Sequence, residues 1–245
     1  MAEIYITDKG VNTNNLNYVM TTLSEVFSAL SCGVKQDSVG ARQSLTVVVS
    51  DDYFVTATVE ICDKLSEVIA VNYKYNFFKN RIKVVGLSDM EKELLFASLI
   101  SADLEEDKAY AFSKLKTETF IPLDGLFNFR MKPLKSKWQE IAECMPQAFL
   151  RSNLKDFIKF LTESRNKKIF IDCGKVYDSH YRRLNRHMLM GCNEEGSVIK
   201  EVLLSDGGRV ELFGKIPEID EEYLKEFFSS NITFRKDFNE NVSKR

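Results

Sequence analysis

The chain has 245 residues, of which 44% are hydrophobic and 29% are charged, and its formal net charge is −2. This composition is typical of globular proteins and excludes global disorder, and the length allows a core that folds without disulfides or metals. The N-terminus lacks a basic segment followed by an apolar stretch, and no apolar run is long enough to span a bilayer. We therefore expect a soluble, cytoplasmic protein without membrane insertion.

Cysteine usage points to the same compartment. The sequence has five cysteines, an odd number, and no two of them form a CxxC pair that would indicate a zinc knuckle or a thioredoxin-like site. Thiols of this kind stay reduced in the cytosol, where disulfides are rare. Cys62 lies among apolar helix positions, which predicts a small buried hydrophobe. The other cysteines are Cys32, Cys144, Cys173 and Cys192.

The first fifty residues predict a strand, a helix and a second strand. Residues 3–6 alternate polar and apolar side chains, which indicates a short strand. Apolar residues recur at steps of three and four between Leu16 and Leu30, which predicts a helix that ends near Gly33. The β-branched run at residues 45–49 predicts a buried strand. Together these elements form a βαβ element.

Helices dominate the centre of the sequence. One apolar stripe over residues 55–77 predicts a single long helix. Ser88 and Glu91 have the spacing of a capping box, which predicts the start of the next helix. Pro146 predicts the end of a later helix, because proline inside a helix loses a hydrogen bond and clashes with the preceding turn. The later helices are predicted at residues 104–115, 138–149 and 154–161.

Strand patterns become frequent towards the C-terminus. Asp206, Gly207 and Gly208 have the composition of a tight hairpin turn, in which residues adopt positive φ angles. A short final helix is predicted at residues 220–229. The predicted strands are residues 168–173, 188–190, 198–204 and 210–213.

These elements predict an α+β fold with an N-terminal βαβ element, a helical centre and a C-terminal antiparallel β-meander with a final helix. Because no linker rich in Pro, Gly or Ser separates them, we predict a single composite domain over residues 1–245. A subdivision into an N-terminal helical part, 1–120, and an α/β part, 121–245, is the alternative.

The residue types that catalysis or metal binding needs are scarce. The only histidines in the sequence, His180 and His187, would lie about 10 Å apart on a shared helical face, too far to bind one metal ion. Neither a nucleophile elbow nor a phosphate-binding glycine loop is present. An acidic run at residues 105–107 stands at a predicted helix start, where interaction with the helix dipole accounts for it. The sequence therefore predicts no catalytic residue, cofactor or metal, and a hydrolase-type enzyme using either histidine is an alternative.

Positive charge is concentrated between residues 126 and 190, where there are 14 Lys and Arg and 6 Asp and Glu. The rest of the chain has 20 Lys and Arg and 30 Asp and Glu. Aromatic residues lie among these cations, and we expect most of the rings to lie in the core beneath the basic stems. The predicted interaction surface comprises Arg130, Lys132, Lys135, Arg182, Arg183 and Arg186.

Residues 124–132 resemble the Gly-Phe-x-x-Phe-Arg-Leu-Lys segment of the YtxC-like family, which comprises sporulation-associated proteins of Firmicutes. The direct matches are Gly125, Phe129, Arg130 and Lys132. Residues 156–161 are similar to a Glu-Phe-Ile-x-Leu-Leu helix of the same family, and the likeness covers about residues 120–175. It implies a cytosolic protein without an established activity, and it supplies no catalytic residues.

The leading hypothesis is a non-enzymatic accessory or regulatory protein of a spore-forming bacterium that binds a protein partner through the basic surface. The same residues allow an alternative, the binding of single-stranded nucleic acid or of a phosphorylated ligand, because cations interleaved with aromatic rings suit both. The sequence specifies neither the partner nor the oligomeric state.

Overall fold

The computed structural model describes residues 1–9, 13–191, 194–229 and 231–235. Contacts group the chain into two compact units: unit 1 is Met1–Phe77 and Leu104–Cys144, and unit 2 is Phe78–Asp103 and Met145–Arg245. Both units combine helices with a sheet, which confirms the α+β class, whereas the single composite domain stays a prediction. No helix among the described residues is long and apolar enough to cross a membrane.

The helices and strands have the following bounds. The helices are α1 (Thr13–Thr22), α2 (Ser24–Ala29), α3 (Phe54–Val68), α4 (Lys74–Arg81), α5 (Asp89–Ser101), α6 (Leu104–Leu115), α7 (Leu123–Arg130), α8 (Lys132–Glu143), α9 (Arg151–Glu163), α10 (Ser197–Leu204) and α11 (Glu218–Phe227). The strands are β1 (Ala2–Lys9), β2 (Gly33–Val39), β3 (Arg42–Val49), β4 (Phe120–Pro122), β5 (Lys167–Asp172), β6 (Lys175–Tyr177), β7 (Arg183–Leu184), β8 (Gly207–Phe213) and β9 (Ile232–Arg235).

The sheet of unit 1 has the strand order β2-β3-β1-β4. β1 pairs antiparallel with β3, so that Ile4 lies opposite Val47 and Ile6 lies opposite Leu45. All of these side chains are buried, as expected for the core-facing side of a sheet whose strands alternate apolar and polar residues. The two strands predicted near the N-terminus are confirmed. Sequence periodicity does not predict β2, because its side chains are mostly polar and exposed at the sheet edge.

A helical run extends from residue 51 to residue 81. It begins with the 3-10 helix Asp51–Tyr53, and the π-helix Ile69–Tyr73 joins α3 to α4. The long helix is therefore confirmed. The wider turn of a π-helix changes which side chains face the core, and every residue of Ile69–Tyr73 is buried, including the polar Asn72.

The sheet of unit 2 has the strand order β7-β6-β5-β8-β9. β5, β6 and β7 pair antiparallel as a meander, whereas β8 pairs parallel with both β5 and β9. α5 begins with the predicted capping box: Ser88 N–H donates to Glu91 Oε2 at 2.8 Å, and Glu91 N–H donates to Ser88 Oγ at 3.2 Å. Helix α11 confirms the predicted final helix.

Two of the predicted strands are wrong. Residues 198–204 form α10, and residues 188–190 belong to the 3-10 helix Arg186–Met190. In α10 every residue from Val198 to Leu204 is buried, including Lys200 and Glu201. A short segment that is buried on all sides has no periodicity to separate helix from strand. The antiparallel meander consequently lies in residues 167–184, whereas the sequence predicts it between residues 188 and 213.

The predicted hairpin at residues 205–208 is also wrong, because residues 205 and 206 connect α10 to β8 and both glycines belong to β8. Asp206 adopts the positive φ, whereas neither glycine does. A Cβ atom at Gly208 would lie 1.8 Å from the carbonyl oxygen of Arg165, so this glycine allows a close approach of two backbone segments.

Four of the five cysteines lie in the described part of the chain, and all four are free thiols. Cys62 is fully buried, as predicted, and this burial raises the pKa of its thiol to about 11. Cys144 and Cys173 are exposed. Cys192 lies outside the described residues.

We predict that Gly208→Ala lowers the free energy of unfolding by about 3 kcal/mol, at the upper end of the cost of overpacking, because the methyl group would overlap a backbone carbonyl that cannot move aside. Gly174→Ala is the matched control. Gly174 has a φ of +80° but open space around its Cβ position, so the backbone strain alone should cost about 1 kcal/mol. Urea unfolding of both variants measures the difference, and equal losses would contradict the close approach.

Candidate functional site

The structure divides the predicted basic residues equally between the two units. Arg130, Lys132 and Lys135 belong to unit 1, and Arg182, Arg183 and Arg186 belong to unit 2. The two groups are therefore described separately, and a single surface formed by all six stays a prediction.

In unit 1 the three cations and an exposed aromatic ring belong to the end of α7 and the first turn of α8. The Phe129 side chain is 79% exposed, whereas Phe127 and Trp138 are buried, as expected for most rings in this segment. Arg130 pairs with Glu118, and Lys132 is exposed. We call Phe129, Arg130, Lys132 and Lys135 the α7–α8 surface.

Lys135 connects this surface to the ring layer beneath it. Its ammonium group lies 5.4 Å from the ring centroid of Phe127 and 3.4 Å from Asn128 Oδ1. Phe127 is buried and stacks on Trp138 with 5.6 Å between ring centroids. These two rings follow the expected arrangement, in which aromatic side chains pack under basic stems.

Trp138 is fixed by a buried ion pair. Its Nε1–H donates to Asp107 Oδ2 at 2.8 Å, and Lys74 Nζ lies 2.7 Å from the same oxygen. The side chains of Lys74 and Asp107 are both inaccessible to solvent. Lys137 Nζ lies 2.9 Å from Asp107 Oδ1 and 2.8 Å from Glu106 Oε2. Asp107 therefore holds α4, α6 and α8 together through three cationic or N–H donors.

Sequence reasoning misses this ion pair. Asp107 belongs to the acidic run at a helix start, and such a run is equally consistent with solvated charges near the helix dipole. Lys74 follows the π-helix, whose position sequence periodicity does not reveal. The available signal is that Asp107 lies at helical spacing between Leu104 and Ala111 on the buried face of α6, and this signal does not identify Lys74 as its partner.

A second buried polar network lies at the π-helix. Asp8 is 1% exposed and accepts hydrogen bonds from Tyr73 Oη at 2.6 Å and from Asn15 Nδ2 at 2.7 Å. Burial raises the pKa of Asp8 although these donors lower it, and the nearby Asp124 carboxylate raises it further. Arg42 binds Asp124 with two hydrogen bonds, at 3.0 and 3.1 Å. The network joins β1, α1 and the π-helix, and its hydrogen bonds stabilise the packing of these elements.

In unit 2 two of the three predicted arginines have partners close by. Arg182 binds Asp178, with Nη2 to Oδ2 at 2.8 Å. Partial burial of Asp178 raises its pKa. Hydrogen bonds from the backbone N–H groups of Arg182 and His180 outweigh this effect and hold the pKa of Asp178 below its usual value. Arg186 Nη1 donates to the carbonyl oxygen of Leu204 at 2.9 Å. Arg183 lies in β7 and is exposed, and no ion pair of it is seen in the part of the chain that the structure describes.

The two histidines have different surroundings. The backbone N–H of His180 donates to Asp178 in an exposed loop. His187 Nδ1 lies 2.7 Å from Glu201 Oε2, and the backbone N–H of His187 donates to the same oxygen at 2.7 Å. Glu201 is fully buried, whereas the His187 side chain is 27% exposed. A buried carboxylate that binds one ring nitrogen orients the other ring nitrogen and sets the tautomer.

Within residues 1–9, 13–191, 194–229 and 231–235, no three His, Cys, Asp or Glu side chains are grouped in a way that could hold a metal ion.

No protein-family model, no curated protein and no solved structure matches the chain. The resemblance to the YtxC-like family therefore stays a prediction that rests on the residues of the sequence.

We predict that Asp107→Ala lowers the free energy of unfolding by about 3–5 kcal/mol, because it removes the carboxylate that lies 2.7 Å from the buried Lys74 ammonium group. Glu106→Ala provides a matched control, since Glu106 also binds Lys137 but is 75% exposed. It should change stability by less than about 1 kcal/mol. Chemical denaturation of both variants tests this difference, and a small effect of Asp107→Ala would show that Lys74 is not buried as described.

Proposed function

We propose that this chain is a non-enzymatic accessory protein that binds an acidic protein partner through the α7–α8 surface. The observation that supports the proposal is the 79% exposed ring of Phe129, which is followed in sequence by Arg130 and Lys132. Aromatic and arginine side chains contribute most of the binding energy at many protein interfaces. The cations favour a partner that has negatively charged residues around the pocket into which the Phe129 ring binds, because complementary charge speeds association and selects the partner.

The support beneath the surface makes binding efficient. Phe127, Trp138 and Asp107 lie below the exposed residues in a layer that is packed and hydrogen-bonded. The backbone of the α7–α8 surface is therefore already ordered before a partner binds, and the entropy lost on binding would be limited to exposed side chains. Burial of the Phe129 ring would also remove apolar surface from water.

The YtxC-like resemblance belongs to this proposal. Phe129, Arg130 and Lys132, which match the family segment, are the same residues that form the α7–α8 surface. We infer a cytoplasmic protein of a spore-forming bacterium that acts during sporulation through this surface. What supports the inference is that the matching side chains are exposed, where a structural role in the core does not explain them.

Charge reversal on the surface is the main test. The double variant Lys132→Glu, Lys135→Glu should weaken binding to the captured partner at least about tenfold, and Phe129→Ala should do so by a similar factor. The double variant Lys155→Glu, Lys159→Glu on α9 changes the net charge equally and should bind like the unaltered protein. Proteins captured from sporulating cells are identified first, and their affinities are then measured with purified components.

The same variants separate the proposal from nucleic-acid binding. If the bound component is a single-stranded oligonucleotide, its affinity will fall steeply with salt, because phosphate contacts release counterions. A partner that binds the unaltered protein, the α7–α8 variants and the α9 control equally would exclude this surface as the binding site.

A hydrolase-type activity is the second candidate function, and the contact between His187 and Glu201 favours it. A buried carboxylate bound to the imidazole Nδ1 is the arrangement that prepares a histidine as a general base. Gln in place of His187 should lower any hydrolysis of p-nitrophenyl acetate or p-nitrophenyl phosphate at least about 100-fold. His180→Gln is the matched control and should leave the rate unchanged. Equal rates for both variants, or no hydrolysis by the unaltered protein, would remove this candidate.

A further inference from the structure

Unit 2 contains a cleft that none of the sequence patterns indicates. Its volume is about 500 Å³, and it is formed by the end of α4, the segment that follows α4, and the first turns of α5. Pockets that bind small organic molecules have volumes of about 300–1,000 Å³. The cations of the lining are Lys79, Lys83 and Lys92, and its apolar residues include Val84, Val85 and Phe96.

The charge of this cleft is positive. It also contains two carboxylates, and each of them meets an ammonium group. Lys92 Nζ lies 3.0 Å from Asp89 Oδ1. Glu93 Oε2 lies 3.5 Å from Nζ of Lys200, whose side chain is only 2% exposed. Asp89 and Glu93 are therefore each matched by a lysine, and the exposed Lys83 supplies the positive charge that attracts an anion.

Lys83 is the cation best placed to receive that anion. Its side chain is exposed, and no ion pair of it is found in the part of the chain that the structure describes. An ammonium group binds phosphate as a compact point charge with three donors. Lys83 stands between the buried Ile82 and Val84 in sequence, so its backbone is anchored while its side chain remains accessible.

The apolar part of the cleft is held in place by backbone hydrogen bonds. Val85 N–H donates to the carbonyl oxygen of Gln147 at 2.9 Å, and Phe149 N–H donates to the carbonyl oxygen of Val85 at 3.0 Å. Val85 is nevertheless 65% exposed. A fixed backbone that presents an exposed valine beside the buried Val84 and Phe96 provides a preformed apolar wall.

We propose that this cleft binds a small phosphorylated organic molecule, with its phosphate on Lys83 and its apolar part against Val84, Val85 and Phe96. Neither half of the site is sufficient alone. The lysines would bind any phosphate weakly in water, and the apolar wall would bind any small hydrocarbon without selecting its charge. The combination selects a ligand that carries both groups. The cleft lies in unit 2 and the α7–α8 surface lies in unit 1, so the two proposals rest on different residues.

Calorimetric titration with 1-naphthyl phosphate tests the proposal on the full chain. We expect a dissociation constant of about 0.1 mM, which rises at least about tenfold for inorganic phosphate and for 1-naphthol, since each lacks one of the two interactions. The affinity should also fall as the salt concentration increases, because the contact between the phosphate and Lys83 is partly exposed.

Variants of the cleft locate the site. Lys83→Glu and Val85→Ser should each weaken binding of 1-naphthyl phosphate at least about fivefold, whereas Lys155→Glu on the exposed face of α9 should not. All three positions are exposed, so thermal unfolding should show that the variants fold. The proposal is overturned if Lys83→Glu leaves the affinity for 1-naphthyl phosphate unchanged, or if inorganic phosphate binds as tightly as 1-naphthyl phosphate.

Discussion

The ion pair between Lys74 and Asp107 is the constraint on which unit 1 depends. Removing both charges from water costs several kcal/mol for each ion, and this cost is offset only when every hydrogen-bonding position is used. Asp107 meets that condition because Trp138 and Lys137 supply the remaining donors. These contacts link α4, α6 and α8, since a shift of one helix would lengthen a buried contact to Asp107. The position of the α7–α8 surface follows from this arrangement.

The same rule governs the other buried polar groups. Among the described residues no ion pair of the buried Asp8 is found, and its burial is tolerated because Tyr73 and Asn15 donate to its two oxygens. In unit 2 the helix α10 is buried along its whole length although it carries Lys200 and Glu201. Each of these two residues reaches a partner outside the helix, Glu93 or His187. Polar side chains thus determine how helices are oriented within cores whose apolar contacts alone would allow several packings.

Local patterns predict those elements whose sequence separates an inner face from an outer face. The capping box at Ser88 and the strand β3 are of this kind, and both are confirmed. The prediction fails for α10, because this short helix is buried on all sides and has no exposed polar face that would separate its pattern from that of a strand. It also fails for Gly208, whose role depends on the distant Arg165 carbonyl and on no neighbour in sequence. The π-helix cannot be predicted from periodicity, since it is itself a change of period.

Counting charges along the sequence finds the basic segment but does not show which cations can reach a partner. Arg130 and Arg182 already bind Glu118 and Asp178, and a cation that is already paired contributes less to a new contact. Lys132 is exposed, and the described residues provide no ion pair for it. A binding surface therefore requires cations without a carboxylate and, next to them, an apolar side chain that the fold leaves exposed. In the α7–α8 surface the cation is Lys132 and the exposed apolar side chain is Phe129. In the cleft these are Lys83 and Val85. Only the folded chain shows these combinations, because they depend on which side of each element faces water.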